Sequence, residues 1–138
     1  MMRQIRFRGF NPLYGWLYGD LCHCGAHLTG PEPVPIVAIV ADDGTAMEVD
    51  PESVGQLTGL TDCHGVDIYE GDTLYAPRIG RMYEVCWSDG SFVARSKHYP
   101  TDSLVDLYGL LFDHQVVNYG CRREVVIPHG RATDTGRK

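Results

Sequence analysis

Residues 53–75 read SVGQLTGLTDCHGVDIYEGDTLY. Short apolar pieces, Gln56-Leu57-Thr58 and Thr73-Leu74-Tyr75, are separated by two glycine-punctuated bends. Strand, turn, strand is the reading this pattern demands, since glycine takes the positive φ that tight bends require. Gly65 closes the first bend and Gly71 the second. Asp72 is expected to cap exposed backbone N–H groups there. Nearly every residue of the stretch is thus assigned to shape.

Outward from this centre the chain continues as short alternating segments. Residues 3–10 predict a first strand and residues 14–21 a second, in which Tyr14, Trp16 and Tyr18 recur at the two-residue period of one sheet face. Residues 22–35 are expected to be a loop, ending in the proline-rich GPEPVP. Residues 36–40 and 47–49 predict strands around Asp42-Asp43-Gly44. Asp50-Pro51 resembles a cap and first helical position for at most one turn. Residues 82–87 and 92–95 form the arms of a hairpin about Asp89-Gly90. Residues 102–112 fit either a two-turn helix or a strand at 106–108. Residues 116–119 and 124–127 read as final strands, and residues from 128 onward lack apolar periodicity.

These elements predict a mainly β protein. Residues 1–50 would form an N-terminal β module packed on an SH3-like bent-strand barrel at residues 51–128, followed by a flexible tail at 129–138. Sixteen glycines and eight prolines agree with many turns and short strands. No apolar stretch reaches membrane-spanning length. The opening MMRQIRFRGF alternates like a strand and lacks the apolar middle of a signal peptide, so the expected location is the cytoplasm and no membrane partner is expected. Five cysteines without export signals argue for reduced thiols.

The net charge of −6 is unevenly spread. No lysine or arginine lies between Gly9 and Pro77, where eleven aspartates and glutamates fall. That field opposes nucleic-acid binding unless the fold gathers Arg3, Arg6, Arg8, Arg78, Arg81, Arg95 and Lys97 on one face.

The segment GQLTGLTDCHGVDIYEGDTLY is similar to the characteristic motif of the YopX family of phage and prophage proteins. The opening MRQIRFRGF, Trp16-Leu17-Tyr18-Gly19, residues 47–50 with Pro51, the Trp87 to Phe92 hairpin and Val116-Val117-Asn118-Tyr119 fall where that family has related features. The resemblance spans about residues 2–120. It implies a β-rich fold with an SH3-like part, a phage or integrated-element origin and frequent oligomerisation; it carries over no catalytic residue. Three features depart from the family pattern: Cys63 and His64 stand where Asp, Lys or Asn is usual, the cluster at 22–27 is additional, and the end from Cys121 is atypical.

Several constellations bear on chemistry. Cys22, Cys24 and His27 can supply three soft ligands, with Cys63 or His64 a fourth. The single residue between the cysteines is tighter than common zinc-knuckle spacing, and the favoured reading is a loop of reduced thiols with no bound metal or other cofactor. Asp62, Cys63 and His64 are adjacent and cannot align as a relay; the surroundings are acidic, whereas an active thiolate needs a positive setting. Asp67, Glu70 and Asp72 lack the spacing of a calcium loop. No phosphate-cradling glycine pattern occurs. The possible interaction surface is Tyr14, Trp16, Tyr18, Arg78, Arg81, Trp87 and Arg95, with rings as anchors and arginines at the rim. The leading expectation is a non-enzymatic accessory protein that binds a protein or itself. A nucleic-acid-binding accessory protein comes second and a small hydrolase third.

Overall fold

The computed structural model describes residues 4–97 and 104–121. Eleven strands among them form two open antiparallel sheets. The first holds β1 (Phe7–Asn11), β2 (Gly15–His27), β3 (Val34–Val40), β4 (Ala46–Val49), β5 (Gly55–Thr61) and β6 (Asp67–Tyr69) in the order β4-β3-β2-β1-β5-β6. Alternation turns Phe7, Leu17, Leu21, Val37, Ile39 and Val49 to one side, where they form a small core.

Strand β4 curls round to β1. The Asp50 N–H donates to the Phe10 carbonyl (2.9 Å), and the Asn11 side-chain amide donates to the Glu48 carbonyl (2.8 Å). After β4 a single 3-10 turn, Pro51–Ser53, is capped by Asp50, whose carboxylate accepts from the Glu52 N–H (3.0 Å). This is the capped proline turn that the sequence predicts.

Close approach inside the curl requires Gly19, because a Cβ there would overlap the Val40 carbonyl oxygen. Gly19→Ala is therefore expected to cost about 3 kcal/mol, the upper end of overpacking losses, because backbone rather than a yielding side chain must move. A lowered midpoint in urea unfolding at unchanged slope checks this.

The second sheet holds β7 (Thr73–Ala76), β8 (Arg81–Ser88), β9 (Ser91–Ser96), β10 (Leu104–Asp106) and β11 (Val117–Gly120), ordered β10-β9-β8-β7-β11. Asp89 and Gly90 both take positive φ, 52° and 84°, as a two-residue hairpin connection requires. Within 104–112 the helix option holds, preceded by a short strand that lies earlier than the expected 106–108. Leu104–Asp106 pairs with β9, and helix α1 (Leu107–Asp113) follows, capped by the Asp106 carboxylate accepting from the Gly109 N–H (3.0 Å). Leu107 and Leu110 pack on Ile68, Leu74, Tyr83, Val85, Ala94 and Val116 to form the main core.

Two expectations are corrected. The first is the SH3-like barrel: both sheets are open. The facing edges, β6 and β11, are joined mainly through side chains, with one backbone bond from the β5–β6 turn, instead of a strand ladder. Asp72 Oδ2 accepts from the Tyr69 N–H (2.8 Å) and from the Asn118 amide (2.8 Å), which also donates to the Asp67 carbonyl (3.0 Å). Asp62 Oδ2 accepts from the Asn118 N–H (3.0 Å), and the Cys63 N–H donates to the Val116 carbonyl (2.9 Å). With these backbone groups already bonded, closure by β pairing is blocked.

The second correction concerns residues 22–35. Cys22–His27 continues β2, and Val34 already belongs to β3, making a long two-stranded arm. Pro35 is tolerated because β4 pairs only with Val37 to Val40, leaving Pro35 on a free edge where its missing N–H is not needed. The predicted strand at 124–127 and the tail at 129–138 lie outside the described residues.

Candidate functional site

Outward-facing residues of β1 and β2 build a cation–aromatic cluster. Register pairs Arg8 with Tyr18 and Phe10 with Trp16. The Arg8 guanidinium carbon lies 4.8 Å from the Trp16 ring centre and 5.1 Å from that of Tyr69. Phe10 meets Trp16 edge-on at 5.4 Å, and Tyr18 meets Tyr69 likewise at 5.4 Å.

Arg8 is only 4% exposed and Asp72 only 1%. Arg8 Nη1 stands 2.6 Å from Asp72 Oδ1, and Nη2 donates to the Glu70 carbonyl (3.2 Å), while Nε is buried with no hydrogen-bond partner. The turn at Gly71, φ 94°, carries Asp72 to this position. Asp72 thus caps the Tyr69 N–H, as the sequence predicts, and also neutralises Arg8.

A cleft of about 600 Å³ opens beside the pair where the two sheets meet. Arg6, Tyr18, Tyr69, Asp67, Asn118 and Tyr119 line it, and Arg8 and Asp72 contribute to its wall. Arg6 reaches an exposed Asp42 at 3.4 Å. Burial pushes the Tyr69 phenol up from its ordinary value, against the opposing charge of Arg6. Burial likewise raises the Cys121 thiol.

The two carboxylates buried among the described residues are committed. Asp72 serves Arg8, Tyr69 and Asn118. Asp62 accepts from the N–H groups of His64 (2.8 Å), Val66 (2.9 Å) and Asn118 (3.0 Å). Burial alone would raise Asp62, but these three donors together hold it below the usual carboxylate range. The arrangement suits recognition by rings and guanidinium better than proton transfer.

The residues singled out from the sequence are divided between the sheets. Trp16 and Tyr18 share the outward face of β2, while Tyr14 sits in the preceding turn, 64% exposed. Arg78 and Arg81 are exposed at the β7–β8 connection. Trp87 packs edge-on against Phe92 at 4.8 Å, and Arg95 is half-buried on β9 in register with Glu84. Of the seven, the cleft takes only Tyr18. The cation over Trp16 is Arg8, which sequence reasoning did not place there; its signal was an arginine two positions before Phe10 on β1, hence on the same face, and the tight connection to β2.

The soft-ligand cluster is partly assembled. The Cys24 thiol donates to the Cys22 sulfur at 3.5 Å, and His27 Nε2 lies 2.9 Å from Glu48 Oε2. The hydrogen bond to Cys22, then desolvation and neighbouring charge including that of Glu48, raise the Cys24 thiol above its ordinary value. Cys63 lies in the β5–β6 turn. Among the described residues, no group of three or more His, Cys, Asp or Glu side chains is placed to hold a metal ion.

A family model described as YopX protein matches residues 36–117, which run from within β3 to the first residue of β11. The chain belongs to the YopX family. This is a phage-associated family of unsettled biochemical function. The match contains the whole Asp62–Asp72 turn system, whereas Arg8 and the Cys22–Cys24 pair of this YopX protein lie before it. A comparison with curated proteins finds no match. No helix among the described residues is long and apolar enough to cross a membrane.

Proposed function

We propose that this YopX protein is a non-enzymatic module that assembles with further copies of itself in the host cytoplasm, through the tip of its β1–β2 hairpin. The observation that carries the reading is the exposure of Leu13 (86%) and Tyr14 (64%) at that tip, beside a partly exposed Phe10. Tight turns ordinarily carry Asn, Asp, Gly or Ser. Large apolar groups there gain stability only when another surface covers them, and aromatic anchors dominate interface energies. Self-pairing of one patch about a two-fold axis closes without leaving it open. The outer edge β10, which has no further strand neighbour among the described residues, adds surface to such an assembly.

Light scattering coupled to size exclusion tests this. The wild-type chain is expected to run above monomer mass. Leu13→Asp/Tyr14→Ser is expected to run as a folded monomer, having lost about 2 kcal/mol or more of association energy. A wild-type monomer at all concentrations overturns the reading.

A second reading, nucleic-acid binding, draws on Arg6 set among Tyr18, Tyr69 and Tyr119 in the cleft, the ring-plus-cation pairing that single strands use. The −6 net charge opposes it. A retention shift with a mixed oligonucleotide pool that Arg6→Glu abolishes would favour it over assembly.

A further inference from the structure

We propose that Cys22 and Cys24 form a two-thiol chelating site for a soft metal ion on the exposed β2–β3 arm. Both side chains are exposed and free. Their sulfurs stand 3.5 Å apart. With metal–sulfur bonds of about 2.3 Å, that separation gives an angle of about 100° at a shared ion, close to tetrahedral. A linear two-coordinate ion would need the sulfurs about 4.6 Å apart, twice that bond length, so the spacing selects a tetrahedral soft ion such as zinc or cadmium.

A disulfide fits less well. Residues two apart on an extended strand have Cα atoms about 6.6 Å apart, at the outer limit for a disulfide. An ion bridges that span without drawing the backbone in.

Local structure supports the convergence. The β2–β3 register slips between His23 and Gly25, and Gly25 takes φ 116°. Such irregularities re-aim side chains. Cys22 is in register with Ala38, which is in register with Glu48, so the thiol and the carboxylate share one row across three strands. Glu48, 2.9 Å from His27 Nε2, adds a carboxylate to this row, and its negative charge favours a cation bound at the thiols. The protein supplies two firm donors, and water or a small ligand completes the shell; among the described residues no third His, Cys, Asp or Glu side chain joins them. Each bound thiol releases its proton to solvent as the metal–sulfur bond forms.

Cadmium titration of the reduced, full-length protein tests the site through the ultraviolet sulfur-to-metal charge-transfer band. One ion per chain is expected. Cys22→Ser and Cys24→Ser should each weaken binding at least tenfold, since a chelate becomes a single thiol. Cys63→Ser should leave it unchanged, and Glu48→Gln should weaken it several-fold. Both cysteines are exposed, so circular dichroism of the serine variants should match wild type. Wild-type affinity in Cys22→Ser, loss of binding in Cys63→Ser, or no charge-transfer band in the wild-type protein would each overturn the proposal.

Discussion

Arg8→Met is expected to lower the unfolding free energy by about 3–5 kcal/mol at neutral pH, the largest loss from any single side chain of the seam. The reason is what it leaves behind. Asp72 is 1% exposed, and its charge is balanced by the Arg8 guanidinium 2.6 Å away. Without Arg8, an uncompensated carboxylate remains buried between two sheets. The rings of Trp16 and Tyr69 lose their cation at the same time.

The ion pair itself is no guarantee of stability, because desolvating both charges is costly and Arg8 Nε has no partner. Arg8→Met/Asp72→Asn should therefore recover to within about 1 kcal/mol of wild type. An asparagine oxygen can still accept from the Tyr69 N–H and the Asn118 amide, and no charge is stranded. Urea unfolding of the wild type, both single variants and the double variant measures the coupling. If Arg8→Met costs under about 1 kcal/mol, the pair is better screened than its burial indicates, and the seam does not depend on it.

The local half of this fold was legible in the sequence because it is written in short-range chemistry. Asp89-Gly90 requires two positive φ values and takes them. Asp50-Pro51 dictates a capped turn, and Gly71-Asp72 a bend with a cap. The family motif was legible for the same reason, being long and built from such turns. The relation between the sheets was not legible. The Asp62–Asn118 bond joins residues 56 apart, and Arg8 meets a carboxylate in a turn two sheet neighbours away. Periodicity says which face a residue takes; it does not say which distant backbone group its carboxylate will bond. Reading the strands of the C-terminal half as a barrel presumed that edges pair with edges. Here Asp62, Asp72 and Asn118 occupy those edges first. The arm at 22–27 was missed because glycine, histidine and nearby prolines lower strand propensity, while pairing with β3 overrides it.

The same seam makes the protein acid-sensitive, and Asp62→Ala isolates that effect. Removing the Asp62 carboxylate orphans the N–H groups of His64, Val66 and Asn118, at an expected cost of about 3 kcal/mol at neutral pH. The sign of the pH dependence follows from the shift. Folded Asp62 sits below its unfolded value near 3.8, so the unfolded chain binds the proton more readily. Its contribution is fully present above about pH 5 and is lost as pH falls through the folded value. Stability of the wild type should accordingly fall on acidification below that point, and the variant, already lacking the carboxylate, should fall less steeply. The difference between the two should narrow with acid. Amide exchange at His64, Val66 and Asn118 gives a local readout, with these three amides losing protection in the variant while those of the β8–β9 hairpin keep theirs. A difference that stays constant from pH 7 to pH 3 would show that a neutral side chain holds the three amides equally well, and that the negative charge of Asp62 contributes nothing to joining the sheets.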